Sequence, residues 1–170
     1  MQVFELLSHL DPELPRFGQA NWQSTIRKYV KVHPQYAHMD DWHGRETADI
    51  TYDDDSGVLT DLLIEKGYLA PDHWRGKQPM YYIEVKSTTG HCGRPFFMSK
   101  HQYRRMQELS VAAEGSPSLD AAVYAVFCVF DVGMGNPGVR IFVDPEAARR
   151  SGSLVFTAET WSVVPGQLPT

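Results

Sequence analysis

The segment Met80–Ser87 (MYYIEVKS) constrains the fold more than any other part of the chain. Its β-branched and aromatic residues are typical of a strand. Side chains alternate between the two faces of a strand, so Ile83 and Val85 are expected to enter the core. Glu84 and Lys86 then project together from the opposite face, about 7 Å apart along the strand. A carboxylate and an amine held in this way can serve one site.

The 170 residues of the chain are predicted to form a single domain, 1–170, with a core of ordinary size. Hydrophobic residues make up 42% of the chain and charged residues 22%, which excludes a mainly disordered protein. Residues 1–20 are interpreted as an N-terminal extension, in which a short helix stops near Leu10 before two prolines and a glycine. Residues 165–170 are expected to form a frayed tail.

The net charge of −5 excludes a protein coated in positive charge, so a nucleic-acid partner would have to meet a local basic patch. No apolar run reaches the roughly 20 residues that a membrane span needs, and no membrane partner is expected. The segment Met1–Leu10 does not resemble a signal peptide, because it lacks a basic leader and a cleavage site. Cys92 and Cys128 are therefore expected to be free thiols in an intracellular protein, either cytoplasmic or nuclear.

Further strands are predicted around Met80–Ser87. Ala48–Tyr52 is closed by a turn-like run of three aspartates, a serine and a glycine. The apolar Ala122–Val132 and the shorter Val139–Val143 flank a Gly-rich turn, which predicts a hairpin. Ser153–Val164 is expected to supply one or two last strands.

Helical patterns alternate with these strands and predict an α/β fold. The segment Val58–Tyr68 suits either a short helix or a returning strand, and Gly67 as a stop favours the helix. Pro71–Pro79 is predicted to be a loop. The other predicted helices are Trp22–Val32, from the spacing of Trp22, Ile26, Tyr29 and Val30, a helix from the N-cap Ser99 to about Ala113, and a short helix with Asp144 as N-cap and Pro145 at its first position.

A second carboxylate is needed if Glu84 is to hold a metal ion, because one carboxylate seldom holds Mg²⁺ by itself. Asp49 is the best candidate, since it lies on a strand 35 positions before Glu84 and can reach it if the two strands pair. Asp53, Asp54 and Asp55 are rivals, but three acids in a row before Ser-Gly are more typical of a solvated turn.

Asp49 followed by Glu84-Val85-Lys86 resembles the D…(D/E)-X-K pattern of the PD-(D/E)XK nuclease superfamily. The wider stretches Tyr82–Thr88 and Phe97–Gln102 resemble the C-terminal domain of NO VEIN-type proteins. The resemblance covers roughly residues 46–132. It departs from the superfamily pattern in having Ala48 where the pattern has proline, and in the long gap before Glu84.

This resemblance implies a restriction-endonuclease-like core, in which a central mixed β-sheet is flanked by helices. It also implies a metal-dependent hydrolase of nucleic-acid phosphodiesters, with Asp49 and Glu84 binding Mg²⁺ or Mn²⁺ and Lys86 assisting the hydrolysis. The superfamily contains binding modules as well. The alternative is therefore a catalytically inactive nuclease-fold module that binds nucleic acid or a protein partner, within a larger protein that contains an ATPase.

The helix that follows Ser99 carries a group of basic residues. Lys100, Arg104 and Arg105, with the polar Gln102, are predicted to contact nucleic acid, with DNA favoured over RNA. An equally open interpretation is that these side chains form a solvated helix face.

Overall fold

The centre of the computed structural model, which describes residues 1–110 and 122–157, is a four-stranded sheet. Its strands are β1 (Ile50–Asp53), β2 (Met80–Ser87), β3 (Ala122–Phe130) and β4 (Gly138–Val143). They lie side by side in this order. β1 is antiparallel to β2, β2 is parallel to β3, and β3 is antiparallel to β4, which confirms the predicted mixed sheet and its C-terminal hairpin.

The described residues form five α-helices. α1 (Gln2–Ser8) precedes β1 and α5 (Pro145–Arg150) follows β4, whereas α2 (Val58–Glu65), α3 (Pro71–Trp74) and α4 (Lys100–Glu108) lie in connections between strands. The parallel strands β2 and β3 need a crossover connection, and α4 lies in that connection. Across residues 1–110 and 122–157, every helix is too short or too polar to cross a membrane. The predicted α/β class is therefore confirmed in its general form.

The two faces of the sheet pack against different hydrophobic cores. Ile83 of β2 is fully buried in the larger core, together with residues of α1 and α2. On the other face, Tyr124 of β3 packs with Met106 of α4 in a smaller core. Glu84 and Lys86 lie on this second face, where both contact α4. The alternation of side chains along β2 is the one that the sequence predicts.

The prediction of an α-helix over Trp22–Val32 is wrong. The chain forms a 3₁₀ helix over Thr25–Val32 instead. Because a 3₁₀ helix has three residues per turn, Ile26 and Tyr29 lie on one face, and they are 53% and 67% exposed. Arg27 is buried on the inner side and donates a hydrogen bond to the carbonyl of Trp22 at 2.9 Å. Because the 3₁₀ repeat is shorter than the α-helical one, Ile26 and Tyr29, which α-helical spacing would place in the core, face the solvent.

Asp54 corrects the interpretation of the three aspartates as a solvated turn. Its side chain is fully buried and accepts hydrogen bonds from the backbone N–H groups of Leu59 and Thr60 and from the Thr60 hydroxyl. Asp54 therefore caps the beginning of α2, where helical N–H groups lack backbone partners. Asp55 remains at the surface and forms an ion pair with Arg16.

Several predicted boundaries shift. The ambiguous segment Val58–Tyr68 forms the helix α2, as favoured, and this helix ends at Glu65. The predicted loop Pro71–Pro79 opens with the one-turn helix α3, because proline suits the first position of a helix. The helix that Ser99 caps ends at Glu108 rather than near residue 113.

Other predictions fall on both described and undescribed residues. Asp144 caps α5 by accepting the Ala147 N–H, with Pro145 at the first position, as predicted. Of the last predicted strand, residues 153–157 contain no strand, whereas 158–164 lie outside the described residues, as does the tail 165–170. Residues 115–117 (Gly-Ser-Pro), where the sequence predicts a break after the helix that follows Ser99, also lie outside them.

Candidate active site

The pairing of β1 with β2 brings Asp49 beside Glu84. In this antiparallel pair Ile50 faces Ile83, so the residue before Ile50 stands opposite the residue after Ile83. Asp49 Oδ2 accepts the N–H of Val85 at 2.9 Å, and the negative charge of Asp49 acts on the Glu84 carboxyl. The Asp49 side chain thus bonds to the backbone of β2 at the position just before β1 begins.

The segment that carries Asp49 is anchored on its other side by the chain near Trp22. The Asp49 carbonyl accepts the Gln23 N–H at 2.8 Å, and Trp22 forms an isolated bridge with Ile50. Glu46 lies in the same segment, and its carboxylate accepts hydrogen bonds from the hydroxyls of Ser24 and Thr25. These contacts hold the backbone before β1 in place, so Asp49 does not depend on a free loop for its position.

Glu84 is 3% exposed and has two polar neighbours on the α4 side. Gln102 Nε2 donates to Glu84 Oε2 at 2.7 Å. Lys86 Nζ lies 4.0 Å from the same oxygen and donates to Gln102 Oε1 at 3.0 Å. The three side chains form a closed triangle, with the carboxylate and the ammonium on one face of β2 and the amide of Gln102 between them.

Gln102 is held in this position by the beginning of its own helix. Its backbone N–H donates to Ser99 Oγ at 3.2 Å, and its Oε1 accepts the Ser99 N–H at 2.9 Å. This reciprocal pair is a capping box, in which the third residue of the helix bonds back to the cap. Gln102 was predicted to contact nucleic acid, whereas the structure places its amide within the polar triangle with Glu84 and Lys86.

The environment of Glu84 favours its protonated form. Burial raises the pKa of Glu84 to about 7, and the negative charge of Asp49 acts in the same direction. The positive charge of Lys86 opposes this rise. Two adjacent carboxylates in which one retains a proton near neutral pH are suited to bind a cation, because a cation between them replaces that proton.

Tyr124 adds an unsatisfied group to the same face of the sheet. Its side chain is 1% exposed, and its hydroxyl has no hydrogen-bond partner in the part of the chain that the structure describes. Burial raises the pKa of Tyr124, and the negative charge of Glu84 adds to this effect. Nothing in the sequence singles out Tyr124, because only the parallel register of β2 and β3 brings it near Glu84.

We call the group formed by Asp49, Glu84 and Lys86 the acidic corner. Its two carboxylates fit a hard divalent cation that retains several waters. Within residues 1–110 and 122–157, no group of three or more His, Cys, Asp or Glu side chains is arranged as a metal cluster. The ligands available are the two carboxylates of Asp49 and Glu84. Two are sufficient, because Mg²⁺ typically binds proteins through one or two carboxylates while it keeps several waters. The raised pKa of Glu84 and the unsatisfied Tyr124 hydroxyl are both compatible with such an ion.

The basic residues of α4 divide into two groups. Lys100 and Arg104 are exposed and available to a partner. Arg105 is half-buried, and its guanidinium lies over the ring of Tyr82, 5.2 Å from the ring centroid. The structure therefore gives Arg105 a packing contact on the sheet, while the first two residues stay at the surface.

No family model, no curated protein and no solved structure matches the chain. The geometry of the acidic corner and the chemistry of its residues are thus the basis for a functional assignment.

Proposed function

We propose that the chain is a metal-dependent nucleic-acid phosphodiester hydrolase with a restriction-endonuclease-like core of the PD-(D/E)XK type. The observation that carries the proposal is the register of β1 and β2, which sets Asp49 opposite Glu84 with Lys86 on the same face of β2 as Glu84. The mixed sheet and the crossover helix α4 are compatible with this core.

Asp49 and Glu84 would hold Mg²⁺ or Mn²⁺ between their carboxylates. Such an ion supplies charge stabilisation at the phosphate and a more acidic attacking water when it is bound. The Val85 N–H orients the Asp49 carboxylate, which would hold the ion together with Glu84. Glu84 would have to give up its proton to hold such an ion, so the affinity for the ion would rise with pH up to about 7.

Lys86 is placed to act on the phosphate rather than on the ion. Its side chain is 16% exposed, whereas that of Glu84 is 4% exposed, so the ammonium lies nearer to the open side of the corner. Its Nζ keeps two further donor hydrogens when it bonds to Gln102. In this position Lys86 can orient the attacking water or neutralise charge that develops on a phosphate oxygen.

The charge distribution around the corner supports a polyanionic substrate. Residues 85–107 contain five lysines and arginines and no aspartate or glutamate, although the whole chain has a net charge of −5. Such a local concentration of positive charge attracts phosphates and makes binding dependent on salt. We propose DNA ahead of RNA as the substrate, and an intracellular location.

Cleavage assays on single-stranded and duplex DNA and RNA, with Mg²⁺ or Mn²⁺ and with EDTA, test the proposal. Glu84→Gln and Lys86→Ala are each expected to reduce cleavage at least about 100-fold, because each removes a charge that stabilises the transition state. Glu108→Gln and Lys66→Ala change exposed charges elsewhere and serve as matched controls. Cleavage that survives Lys86→Ala and Glu84→Gln unchanged would show that another site, or a contaminant, is responsible.

A second function is favoured by one observation, the closed triangle of Glu84, Lys86 and Gln102. Because the Gln102 amide bonds to both Glu84 and Lys86, the three side chains also form a connected structural network. We propose as the alternative a catalytically inactive module that binds nucleic acid or a protein partner within a larger ATPase-containing protein. Salt-dependent binding of nucleic acid with no cleavage in either metal ion would favour this alternative.

A further inference from the structure

A shallow cavity of about 450 Å³ lies where the chain leaves β2. It is lined by Thr88, Thr89, Gly90, Arg94, Pro95 and Phe97. Thr88 continues the ladder with β3, because its N–H donates to the Val129 carbonyl at 2.9 Å. The extended chain therefore places Thr88 on the same face as Lys86, about 7 Å further along the strand. The cavity thus adjoins the acidic corner.

The loop that forms the cavity is pinned to the sheet at several points. The Gly90 carbonyl accepts the Asp131 N–H at 2.9 Å, and the Thr88 carbonyl accepts the Val132 N–H at 3.1 Å. Thr88 Oγ1 also accepts the Gly90 N–H at 3.1 Å. These bonds give the cavity a defined floor rather than a loose surface loop.

Arg94 provides a cation at this cavity. Its side chain is packed closely against Gly90, where a Cβ atom would lie 2.9 Å from Arg94 Cγ. Among the residues that the structure describes, no carboxylate forms an ion pair with Arg94. A positioned guanidinium without an acidic partner is suited to bind a phosphate, which it contacts in a planar, bidentate manner.

Phe97 provides an exposed aromatic ring at the same cavity. It is 70% exposed, although both of its neighbours, Phe96 and Met98, pack against the smaller core. The inward contacts of the two flanking side chains hold Phe97 outward, so its exposure is a property of the fold. A free aromatic ring beside a free guanidinium matches the chemistry of a nucleotide, with a flat apolar base and an anionic phosphate.

We propose that this cavity binds one nucleotide of a single-stranded or frayed nucleic acid next to the phosphodiester held at the acidic corner. Phe97 stacks on the base and Arg94 contacts the adjacent phosphate. In an intact duplex both faces of each base are covered by their neighbours, so only an unstacked base can meet Phe97. The inference deepens the proposed function and rests on it for the identity of the ligand.

Fluorescence anisotropy in EDTA tests the cavity without any metal ion or cleavage. The probes are a labelled single-stranded DNA oligonucleotide, the RNA of the same sequence and the matching blunt duplex. Phe97→Ala is expected to raise the Kd for both single strands about tenfold, and Kd for the duplex less than about twofold. Arg94→Ala is expected to weaken single-strand binding and to lower the salt slope by about one.

Substitutions within the cavity and control substitutions far from it distinguish base stacking by Phe97 from a nonspecific loss of apolar surface or charge. Phe97→Trp keeps a ring and is expected to retain binding, whereas Phe97→Leu keeps only apolar character and is expected to lose it. Gly90→Ala leaves all charges in place but displaces Arg94, so it should resemble Arg94→Ala. Tyr68→Ala and Arg75→Ala remove an exposed ring and an exposed cation beyond α2 and α3, and should bind like the parent.

The proposal is overturned if the parent protein does not bind the single strands, or if Phe97→Ala binds them as tightly as the parent. It is also overturned if Phe97→Ala weakens duplex and single-strand binding equally. Cleavage in Mg²⁺ is scored separately on the same variants. Cleavage with no role for Phe97 refutes the cavity alone, whereas Phe97-dependent binding with no cleavage refutes the hydrolase alone.

Discussion

Asp54 and Glu84 are both buried carboxylates next to strands of one sheet, yet they have opposite surroundings. Asp54 accepts three hydrogen bonds from Leu59 and Thr60, all from neutral donors at the beginning of α2. Glu84 receives one from Gln102, and burial together with the negative charge of the neighbouring Asp49 raises its pKa to about 7.

The tyrosines beside these two acids differ in the same way. The Tyr81 hydroxyl is bonded to the Thr60 hydroxyl at 2.9 Å, next to Asp54. The Tyr124 hydroxyl, on the face of Glu84, has no partner among the described residues. The polar groups around Asp54 have hydrogen-bond partners and stabilise the fold. On the other face, the Tyr124 hydroxyl has no partner among the described residues and Glu84 lies beside a second acid. A buried acid whose neighbours leave its charge unsatisfied is a candidate for a functional site, whereas a fully bonded one is typical of a structural role.

The largest effect on stability is expected for Asp54→Ala. It removes the acceptor of three hydrogen bonds and leaves donors buried without a partner, which costs about 4 kcal/mol of unfolding free energy. Urea unfolding followed by circular dichroism measures this loss, with the exposed Asp53→Ala as the control. A loss no larger than that of the control would remove the contrast with Glu84.

Glu84→Gln is expected to stabilise the protein at high pH in the absence of divalent ions. A carboxyl whose pKa is raised in the folded state stabilises that state at pH below 4.5, and this contribution is lost as the pH rises through about 7. The amide cannot ionise, so the variant should exceed the parent by about 3 kcal/mol at pH 8.5.

Urea unfolding at pH 4.5, 7 and 8.5 measures this effect, and the difference between variant and parent should grow with pH. Glu108→Gln, at an exposed position, should show no such trend. If the Glu84→Gln difference stays constant over this range, Glu84 is already ionised in the parent and the paired-carboxylate interpretation is wrong.

Gln102→Ala is expected to destabilise the protein by about 2 kcal/mol, because it breaks the capping box and frees Glu84 and Lys86. Thermal unfolding measures the loss. The matched control is Gln107→Ala, on the same helix but exposed. An equal effect of the two substitutions would mean that the triangle adds nothing to the fold.

The smallest expected effects separate the two tyrosines by sign. Tyr124→Phe removes a hydroxyl without a partner and should raise stability by about 1 kcal/mol, whereas Tyr81→Phe breaks the bond to Thr60 and should lower stability by about 1 kcal/mol. Chemical unfolding of both variants under one condition decides this. Destabilisation by Tyr124→Phe would indicate that its hydroxyl has a partner after all.

Local sequence was sufficient for the elements with a strong and regular pattern. The strand Met80–Ser87 has the predicted bounds, and the predicted caps Ser99 and Asp144 both bond to the helices that follow them. Strand composition and capping depend on side chains within a few residues, so they can be read without the fold. The segment Thr25–Val32 shows the limit, because α-helical and 3₁₀ repeats differ by less than one residue per turn.

The sequence by itself determined that Glu84 and Lys86 share one face of a strand, because alternation is a property of the backbone. Only the tertiary structure decided which other residues meet them. The sequence favoured Asp49 over Asp54 as the partner of Glu84, but the register of β1 with β2 is what places Asp49 beside Glu84, and α2 is what buries Asp54. The crossover between β2 and β3 brings Gln102 to the same corner. These contacts join residues up to 36 positions apart, and strand register, not local propensity, selects them.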